Sequence, residues 1–509
     1  MSISGQLGIV WVMVLHSQNL YSAAQTRELD RLAIQQEGIP GFTLMQRAAE
    51  CTFLQIQSRW PDANRLTVVC GIGNNGGDGC LIALLAKQQG WQVQVFQLGD
   101  VEKQTGDAKK ARESMNAVGL RAQDFDPNQL AETDIIVDAL LGTGLHRSVE
   151  GVWLSTIQAI NRSTALKVAV DIPSGLNADT GCELGEAVKA DLTVTFIGRK
   201  QGLYTADGRA CSGKIHFEDL SIPEKLYADV PSHHGLLPQQ LQGPLLNPRQ
   251  QNSHKGSHGH VLVVGGASGM NGAVMLAASA ALRTGCGLVS VATHGKHASV
   301  INLQQPEIMS HGIEDMKQLN PLMDAADVIV LGPGLGQLDW STDIFYHIIN
   351  THKPLVLDAD ALNILVNNPQ KKANWVLTPH PGEAARLLGC STNEIQSNRY
   401  MAVKKIQEKY DGICVLKGAG SLISCDDKIS ACPLGNPGMA SAGMGDVLSG
   451  VLGSCIAQAI HNKIDIIEAV LFAVSLHAAA GDACALVDGE KGLLASDLFP
   501  YIKKLINEI

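Results

Sequence analysis

The 509-residue sequence lacks several features that mark particular classes of protein. Aromatic residues make up only 4% of it, and its twelve cysteines form no C-x-x-C pair. Isolated cysteines, several of them inside apolar runs, predict reduced thiols in a cytoplasmic protein rather than a disulfide framework. The formal net charge of −10 lacks the basic excess of nucleic-acid-binding proteins, so no nucleic-acid partner is expected.

A membrane anchor is not expected near the start of the chain either. The apolar stretch GIVWVMVL at residues 8–15 is too short to span a bilayer. No Lys or Arg precedes it, and no small-residue cleavage site follows it, which argues against a signal peptide. We therefore interpret residues 1–20 as an N-terminal extension and predict that the protein has no membrane partner.

Glycine is abundant, with 52 residues, and the length predicts more than one domain. In both halves, runs of Val, Ile and Leu end in polar, glycine-rich turns and alternate with helix-like segments. This pattern predicts α/β domains with parallel sheets buried on both faces. A proline-rich stretch without periodicity separates the halves. We predict domains at residues 21–222 and 246–509, joined by a linker at residues 223–245.

Three predicted strand ends in the first half carry polar side chains: GIGNNGGDG at residues 71–79, then DALLGTGLHRS, then DIPSGLNADTG. Ligands bind beyond the carboxyl ends of parallel strands. The amide, carboxylate and hydroxyl oxygens of Asn74, Asn75 and Asp78, of Asp138, and of Asp171 and Ser174 suit K⁺, Na⁺ or Mg²⁺ better than zinc. Acid–base catalysis would also account for the carboxylates, and either Asp138 or Asp171 alone could merely cap a loop. Arg147 in the second turn suits a phosphate.

These motifs, with TRELDRLAIQQEGIPGFTLMQRAAE before them, resemble those of the NAD(P)H-hydrate epimerase family over residues 21–222. The resemblance implies a Rossmann-like, three-layer αβα domain that holds a damaged dinucleotide and K⁺. It implies Asn75, Asp138 and Ser174 as K⁺ ligands and Asp171 as the catalytic acid–base group. The substrate-binding residues that it implies are Asn74, Asn75, Gly76, Gly77, Asp78, Gly142, Thr143, Gly144, Leu145, His146, Arg147, Ser148 and Asp171.

The second half contains G-x-G-D at the start of an apolar helix, in NPGMASAGMGDVLSG. Successive N–H groups of residues 442–445 would bind an anion at the helix N-terminus. Asp446 could accept a proton from a hydroxyl that attacks phosphorus. KGAGS at residues 417–421 is a second turn able to surround a nucleotide, and TPHPGE offers His380 and Glu383.

This half resembles the ribokinase-like superfamily and, more closely, the ADP- or ATP-dependent NAD(P)H-hydrate dehydratases, over residues 246–504. The resemblance implies a ribokinase-like αβα domain that uses ADP or ATP with Mg²⁺. Ser441 and Met444 depart from the family pattern, in which Thr is common at both positions, and this puts fine nucleotide contacts in doubt. The implied nucleotide-binding residues are Lys417, Gly418, Ala419, Gly420, Ser421 and Gly445, and the implied hydrate-binding residues are Ala273, Gly334, Gly336, His380 and Asp446.

Together the resemblances imply a homo-oligomeric, bifunctional enzyme that acts on hydrated NADH and NADPH. Two other functions stay open: a vitamin or sugar kinase in the second half, and a noncatalytic ligand- or RNA-binding scaffold in the first. HKGSHGH places His254, His258 and His260 at metal-like spacing, but an exposed loop is the favoured interpretation. His477, in an apolar helix, is predicted to be a hydrogen-bonded core residue.

Overall fold

The computed structural model describes residues 18–507, so residues 1–17 of the predicted extension, with their apolar stretch, lie outside the described residues. The chain divides into two compact units between Gly235 and Leu236. Each unit is built around a largely parallel sheet with helices packed against it, which confirms the prediction of two α/β domains.

The helices and strands of the first unit follow one another as β1 (Asn19–Tyr21), α1 (Ala23–Gln35), α2 (Gly41–Arg59), β2 (Arg65–Cys70), α3 (Asn74–Gln88), β3 (Gln92–Gln97), α4 (Gly106–Ala117), β4 (Gln123–Asp124), β5 (Ile135–Ala139), α5 (Gly151–Arg162), β6 (Leu166–Val170), β7 (Leu192–Phe196), β8 (Arg199–Lys200), α6 (Gly208–Cys211), β9 (Lys214–Glu218), α7 (Lys225–Asp229) and β10 (His234–Leu236).

Seven parallel strands form the main sheet of this unit, in the order β4-β3-β2-β5-β6-β7-β9. Successive residues of a strand face opposite sides of a sheet. Val68 accordingly packs in the core beneath α1 to α4, whereas Val69 packs in the core beneath α5. Helices therefore cover both faces. The order reverses between β2 and β5, which is where such sheets bind ligands.

The ends of the first unit differ in detail from the sequence prediction. Asn19 and Leu20, placed in the extension, belong to β1, which pairs with β8 and with β10. The segment predicted as an irregular linker contains α7 and β10. Prolines interrupt the periodicity there, and two elements this short leave no hydrophobic period to detect.

The elements of the second unit are β11 (His260–Val264), α8 (Asn271–Arg283), β12 (Leu288–His294), α9 (Ala298–Gln304), β13 (Met309–Ile313), α10 (Leu319–Ala325), β14 (Val328–Leu331), α11 (Asp339–Ile348), β15 (Leu355–Leu357), α12 (Ala359–Leu365), β16 (Trp375–Leu377), α13 (Pro381–Leu388), α14 (Thr392–Ser397), α15 (Arg399–Tyr410), β17 (Ile413–Leu416), β18 (Leu422–Cys425), β19 (Lys428–Ala431), α16 (Met444–Asn462), α17 (Ile466–Asp488) and α18 (Leu498–Leu505).

The sheet of the second unit runs β13-β12-β11-β14-β15-β16-β17-β18-β19. Its strands are parallel from β13 to β17, and β18 and β19 extend it antiparallel. Helices α8, α16 and α17 pack together over one face and supply much of the core. Of the described helices, only α17 is long and apolar enough to cross a membrane, and 61% of its apolar window is buried within the fold.

Candidate active sites

A cleft of about 1210 Å³ opens in the first unit where the strand order reverses. Its walls come from α1 and α2 on one side and from the turns after β2 and β5 on the other. Asp171, after β6, lies at its floor with Lys200 of β8. The polar strand ends singled out in the sequence are thus gathered around one cavity.

The turn after β2 leads directly into α3, which begins at Asn74 without a side-chain cap. Asn74, Asn75 and Asp78 line the cleft. Gly76 and Gly77 do not line it: Gly76 packs against the backbone of Gly71, and Gly77 packs against Met45 of α2. The two glycines therefore bring the helix close to its neighbours, and the amide and carboxylate side chains reach the cavity.

Asn75, Asp138 and Ser174 form a buried cluster next to the cleft. The backbone N–H and the hydroxyl of Ser174 donate to the two oxygens of Asp138, at 2.8 and 2.6 Å. Asn75 donates to the carbonyl of Leu141, but its Oδ1 is buried and has no hydrogen-bond partner among the described residues. Burial raises the pKa of Asp138 to about 6 in spite of these hydrogen bonds. A buried carboxyl group without a cation and an unpartnered amide oxygen fit a hard monovalent cation.

The loop after β5 forms the rim of the cleft. All of its predicted ligand residues line the cavity, and His146, Arg147 and Ser148 are exposed, so their side chains are accessible to a phosphate. Gly142 lies beside Asn75, where a Cβ atom would be 3.5 Å from the Cβ of Asn75. The structure thus places the following predicted residues on one loop: Gly142, Thr143, Gly144, Leu145, His146, Arg147 and Ser148.

Asp171 is held in a left-handed conformation, with φ of 65°. Its carboxylate forms an ion pair with Lys200 and accepts from the backbone N–H of Phe196 at 3.1 Å. The Lys200 side chain is fully buried and also donates to Thr195 and to the carbonyl of Phe196. The sequence analysis missed Lys200, which lies 29 residues from its partner.

Two further carboxyl groups share this end of the cleft. Burial and the charge of Asp171 raise the pKa of Asp30 and raise that of Asp78 well above its usual range. Lys200 opposes both shifts. Lys200 thus lies near three acidic groups, two of them with raised pKa values, which makes this end of the cleft a candidate place for acid–base chemistry. The sequence analysis did not single out Asp30.

In the second unit, Lys417 follows β17 and forms a buried ion pair with Asp358, which follows β15. The Lys417 Nζ lies 2.6 Å from Asp358 Oδ1, and the hydroxyl of Ser449 on α16 donates to Oδ2 at 2.8 Å. Burial alone would raise the pKa of Asp358 and lower that of Lys417. The attraction between the two charges outweighs burial, so the pKa of Asp358 is lowered and that of Lys417 is raised. Gly445 lies beside the pair, where a Cβ atom would be 3.2 Å from Nζ.

Asp446 lies in the first turn of α16, as its motif predicted. Burial, reinforced by the charges of Asp358 and Glu383, raises its pKa to about 7, and Lys417 opposes the shift. A carboxyl group with this pKa is half ionised at neutral pH, which is the condition for efficient proton transfer. The helix N-terminus beside it presents unpaired N–H groups.

His380 and Glu383 form the N-terminal cap of α13. The Glu383 carboxylate accepts from the N–H of His380 at 2.7 Å and lies 3.8 Å from Lys417 Nζ. The His380 Nδ1 accepts from the N–H of Gly382, and burial with the charge of Lys417 lowers the His380 pKa. The ring is exposed on its other side and neutral at pH 7, so it can contact a ligand.

The other predicted hydrate contacts lie on the turn after β14 and at the start of α8. Gly334 and Gly336 have positive φ, and a Cβ atom on Gly334 would be 3.1 Å from that of Ala273. The N–H of Gly336 donates to Asp360 at 2.8 Å. Asp360 also acts on the pKa of Asp446, so its charge links this turn to the helix N-terminus.

The KGAGS turn, residues 417–421, rests on Arg399, which the sequence analysis missed. This buried guanidinium donates to the carbonyls of Leu416, Lys417 and Gly420. A Cβ atom on Gly418 would lie 2.7 Å from its Nη1, so only glycine allows this approach. The backbone of the turn is therefore fixed from below, and Gly418 and Ala419 remain exposed above it.

The side chain of Met444, one of the two positions that depart from the family pattern, is buried in the core of the second unit. Ser441 keeps a hydroxyl, which is buried and unpartnered among the described residues. His477 is buried as predicted, and burial lowers its pKa to about 4. It contacts the backbone of Met444, but its Nε2 has no hydrogen-bond partner within residues 18–507, so the prediction of a fully hydrogen-bonded ring is wrong.

The histidines of HKGSHGH point to separate partners. His258 contacts Ser253, and His260 contacts Ala325 and Ser290. His254 is exposed beside the short helix Lys255–His258. The three rings share no ligand position in the described part of the chain, but the segment is not the exposed loop that was expected: His258 ends the short helix, His260 begins β11, and both are half-buried.

Comparisons with known proteins agree with this two-site arrangement. A family model described as YjeF-related protein N-terminus matches residues 41–202, and one described as NAD(P)H-hydrate dehydratase matches residues 261–504. The bifunctional NAD(P)H-hydrate repair enzyme Nnr of Coxiella burnetii is 45% identical, over 96% of this chain and 99% of its own. Its counterpart from Escherichia coli is 40% identical, over 96% and 94%.

Among solved structures, the ADP/ATP-dependent NAD(P)H-hydrate dehydratase of Bacillus subtilis, co-crystallised with ATP/Mg²⁺, is 30% identical to the matching part. It covers 51% of this chain and 92% of its own, with a TM-score of 0.44. The sequence matches to the two curated relatives extend over both units and nearly the whole of each relative. The chain therefore belongs to the family of bifunctional NAD(P)H-hydrate repair enzymes.

Proposed function

We propose that the first unit interconverts the R and S epimers of hydrated NADH and NADPH, and that the second unit dehydrates the S hydrate with ADP or ATP and releases phosphate. The observation that carries the second assignment is the Asp446 carboxyl group, with a pKa near 7 at a helix N-terminus beside Lys417. A hydroxyl must lose a proton to attack phosphorus, and Asp446 is placed to accept it.

In the first unit, the hydrate lies in the 1210 Å³ cleft. Its phosphates contact the turn at Asn74 and the loop at residues 142–148, where Arg147 supplies a positive charge. Epimerisation requires the hydroxyl at C6 of the hydrated ring to leave and return on the other face, driven by the lone pair of the ring nitrogen. Asp171 serves this exchange as the acid–base group, with Lys200 holding its carboxylate in position.

The proposed cation of this unit is K⁺, bound by Asn75, Asp138 and Ser174. The unpartnered oxygen of Asn75 and the raised pKa of Asp138 support the assignment, because a bound cation satisfies the first and stabilises the ionised form of the second. When bound, K⁺ supplies positive charge close to the rim loop. Gly142 lies beside Asn75, so Asn75 held by the ion would also support the loop that binds the phosphate.

In the second unit, the adenine nucleotide lies over the KGAGS turn, with Lys417 and the N–H groups around Gly445 facing its phosphates and Mg²⁺ bound to them. Ala273, Gly334, Gly336 and His380 contact the hydrate. Asp446 accepts the C6 hydroxyl proton as the oxygen bonds to the terminal phosphorus and displaces AMP or ADP. The C6–O bond then breaks, phosphate leaves, and loss of the C5 proton restores the double bond.

The test incubates the full-length protein with chemically hydrated NADH and either ADP or ATP. Recovery of dihydronicotinamide absorbance with one phosphate released per NADH is the expected result. Consumption of both epimers, rather than half of the hydrate, would report the first activity. A phosphorylated product that keeps its phosphate would instead indicate the alternative kinase. A first unit that binds hydrate without exchanging its epimers would support the noncatalytic scaffold.

The proposed domain limits are residues 21–222 and 246–509. Each unit has its own core, so we expect separate fragments, divided after β10 and before residue 246, to fold and to retain one activity each. All twelve cysteines are free, which supports the proposal of a reducing, cytoplasmic location. The proposed homo-oligomer is tested by light scattering of the purified chain.

A further inference from the structure

Outside both sites, three side chains of different chemistry converge on the edge strand of the first unit. Cys51 lies on α2, and His216 and Glu218 lie on β9. Residues two apart on a strand face the same side of the sheet, which directs the imidazole and the carboxylate toward α2. One ligand atom from each residue lies within 4.8 Å of the other two, and all three side chains are half-buried.

Thiolate sulfur, imidazole nitrogen and carboxylate oxygen form a typical ligand set for zinc. Bond lengths of about 2.0–2.3 Å place the ligands of a tetrahedral zinc ion roughly 3.3–3.6 Å apart. Cys51 Sγ lies 3.7 Å from Glu218 Oε2, so this pair needs almost no movement. We propose that Cys51, His216 and Glu218 bind one Zn²⁺ ion, with water in the fourth position.

The charges around the cluster fit a dication that displaces a proton. Burial and Glu218 raise the pKa of Cys51 to about 12, so the metal-free thiol is protonated and directed at the carboxylate. Burial lowers the pKa of His216, Glu218 opposes this shift, and Arg59 and Arg199 add to it. A thiolate and a carboxylate then balance the charge of Zn²⁺ in a region that already holds two guanidinium groups.

The position of the cluster gives the ion a structural effect. It would join α2 to the edge strand of the sheet, and α2 also carries Leu44, Met45 and Ala48, which line the cleft. Zinc bound to a preformed site stabilises the folded state by mass action. We therefore expect zinc to stabilise the first unit at a distance from the acid–base groups.

The test uses the full-length protein, stripped of metal with a chelator and titrated with Co²⁺ as a spectroscopic probe. One Co²⁺ per chain is expected, with the visible bands of a tetrahedral ion and a thiolate-to-cobalt absorption that Zn²⁺ abolishes. Cys51→Ser removes the thiolate absorption, and Glu218→Gln weakens binding by at least about 100-fold. Cys182→Ser, which changes another half-buried cysteine of the same unit, leaves the spectrum unchanged.

Melting temperature gives a second readout. We expect Zn²⁺ to raise the melting temperature of the wild type and of Cys182→Ser. It should not raise that of His216→Gln or Glu218→Gln. If Cys51→Ser does not fold, these last two variants test whether zinc binds at the proposed site. The proposal is overturned if the wild type shows no saturable thiolate-to-cobalt absorption, or if that absorption survives in Cys51→Ser. Equal zinc stabilisation of the wild type and His216→Gln would also overturn it.

Discussion

Two buried carboxyl groups, one in each unit, lie at the carboxyl ends of strands in parallel sheets but meet opposite electrostatic surroundings. Among the described residues, Asp138 accepts hydrogen bonds from Ser174 and Leu140, and burial raises its pKa to about 6. Asp358 has an ammonium group 2.6 Å away, and its pKa is lowered. The second unit supplies its own cation from Lys417, whereas the first leaves a position that an external cation can fill.

The same contrast holds for the groups proposed to transfer protons. In the first unit, Lys200 interacts with three carboxyl groups, those of Asp30, Asp78 and Asp171, and opposes the rise in the pKa of the first two. In the second, Lys417 is paired with Asp358, and Asp446 is left as the carboxyl group with a pKa near 7. If the first unit binds K⁺ as proposed, its charges are completed by a bound ion, whereas the second unit balances Asp358 with its own Lys417.

The largest effect is expected from Asp446→Asn. This change keeps the shape of the side chain but removes the base, and loss of a general base typically lowers a rate about 10²–10⁴-fold. Dehydration should fall by that factor, while epimerisation in the first unit continues. Because the pKa of Asp446 is about 7, the wild-type dehydration rate should rise with pH up to that value and then level off.

Stopped-flow absorbance with hydrated NADH measures both properties of this variant. Nucleotide binding, followed separately by calorimetry, is the control and should persist, because backbone N–H groups bind the phosphates. Dehydration at a near-normal rate would reduce Asp446 to a helix cap, and the mechanism proposed for the second unit would be wrong.

Breaking the internal ion pair should have the next largest effect. Lys417→Met leaves Asp358 and Glu383 buried without their cation, and such a change destabilises a protein by about 3–5 kcal/mol. Urea unfolding of the second unit measures it. Lys404→Met, in the exposed Lys404–Glu408 pair, is the control and should change stability by less than about 1 kcal/mol. Similar losses of stability in the two variants would show that the buried Lys417–Asp358 pair contributes no more than an exposed pair. The contrast between Asp358 and Asp138 would then lose its support.

The sequence predicts those parts of the arrangement that depend on residues close together in the chain, and it does not predict those that depend on residues far apart. Strands, turns and the helix that begins at Asp446 follow from local patterns, and the fold class and the residues at strand ends were predicted from them. Lys200, Asp358 and Arg399 were not assigned, because each acts through a partner or a carbonyl group brought near by the fold. The burial of Met444 was not predicted either, because a motif does not specify which side of its helix is buried.

The effect of K⁺ on the first unit is expected to be smaller and to depend on pH. A folded-state pKa of about 6, above the ordinary value of an aspartate, means that the folded state binds the Asp138 proton more tightly than the unfolded state. Without K⁺, the free energy of unfolding should therefore fall as the pH rises from about 4 to about 6, by on the order of 1–3 kcal/mol. K⁺ favours the ionised carboxylate and should remove most of this loss.

Thermal unfolding at pH 5 and pH 7, in K⁺ or in tetramethylammonium, measures this effect. Asp138→Ala should be indifferent to the cation and should also bind hydrate more weakly. If the wild type unfolds at the same temperature in both salts at pH 7, the cation site is wrong and Asp138 acts only through Ser174 and the following turn.

The smallest catalytic effect is expected from Met444→Thr, which restores the hydroxyl common at this position in the family. The Met444 side chain is 7% exposed and packs in the core, so the substitution exchanges buried apolar volume for a hydroxyl that must find a partner. We expect a loss of about 1–3 kcal/mol in the stability of the second unit. The KM for ADP or ATP should stay unchanged, because the backbone of residues 442–445 and the side chain of Lys417, not this side chain, face the phosphates. Ser441→Ala is the matched comparison: it removes a buried hydroxyl that lacks a hydrogen-bond partner and should change stability less. A fall in KM for Met444→Thr at unchanged stability would place residue 444 at the nucleotide. The nucleotide site of the second unit would then lack a side-chain contact that the substitution supplies, and the contrast drawn from Asp138 and Asp358 would be weaker.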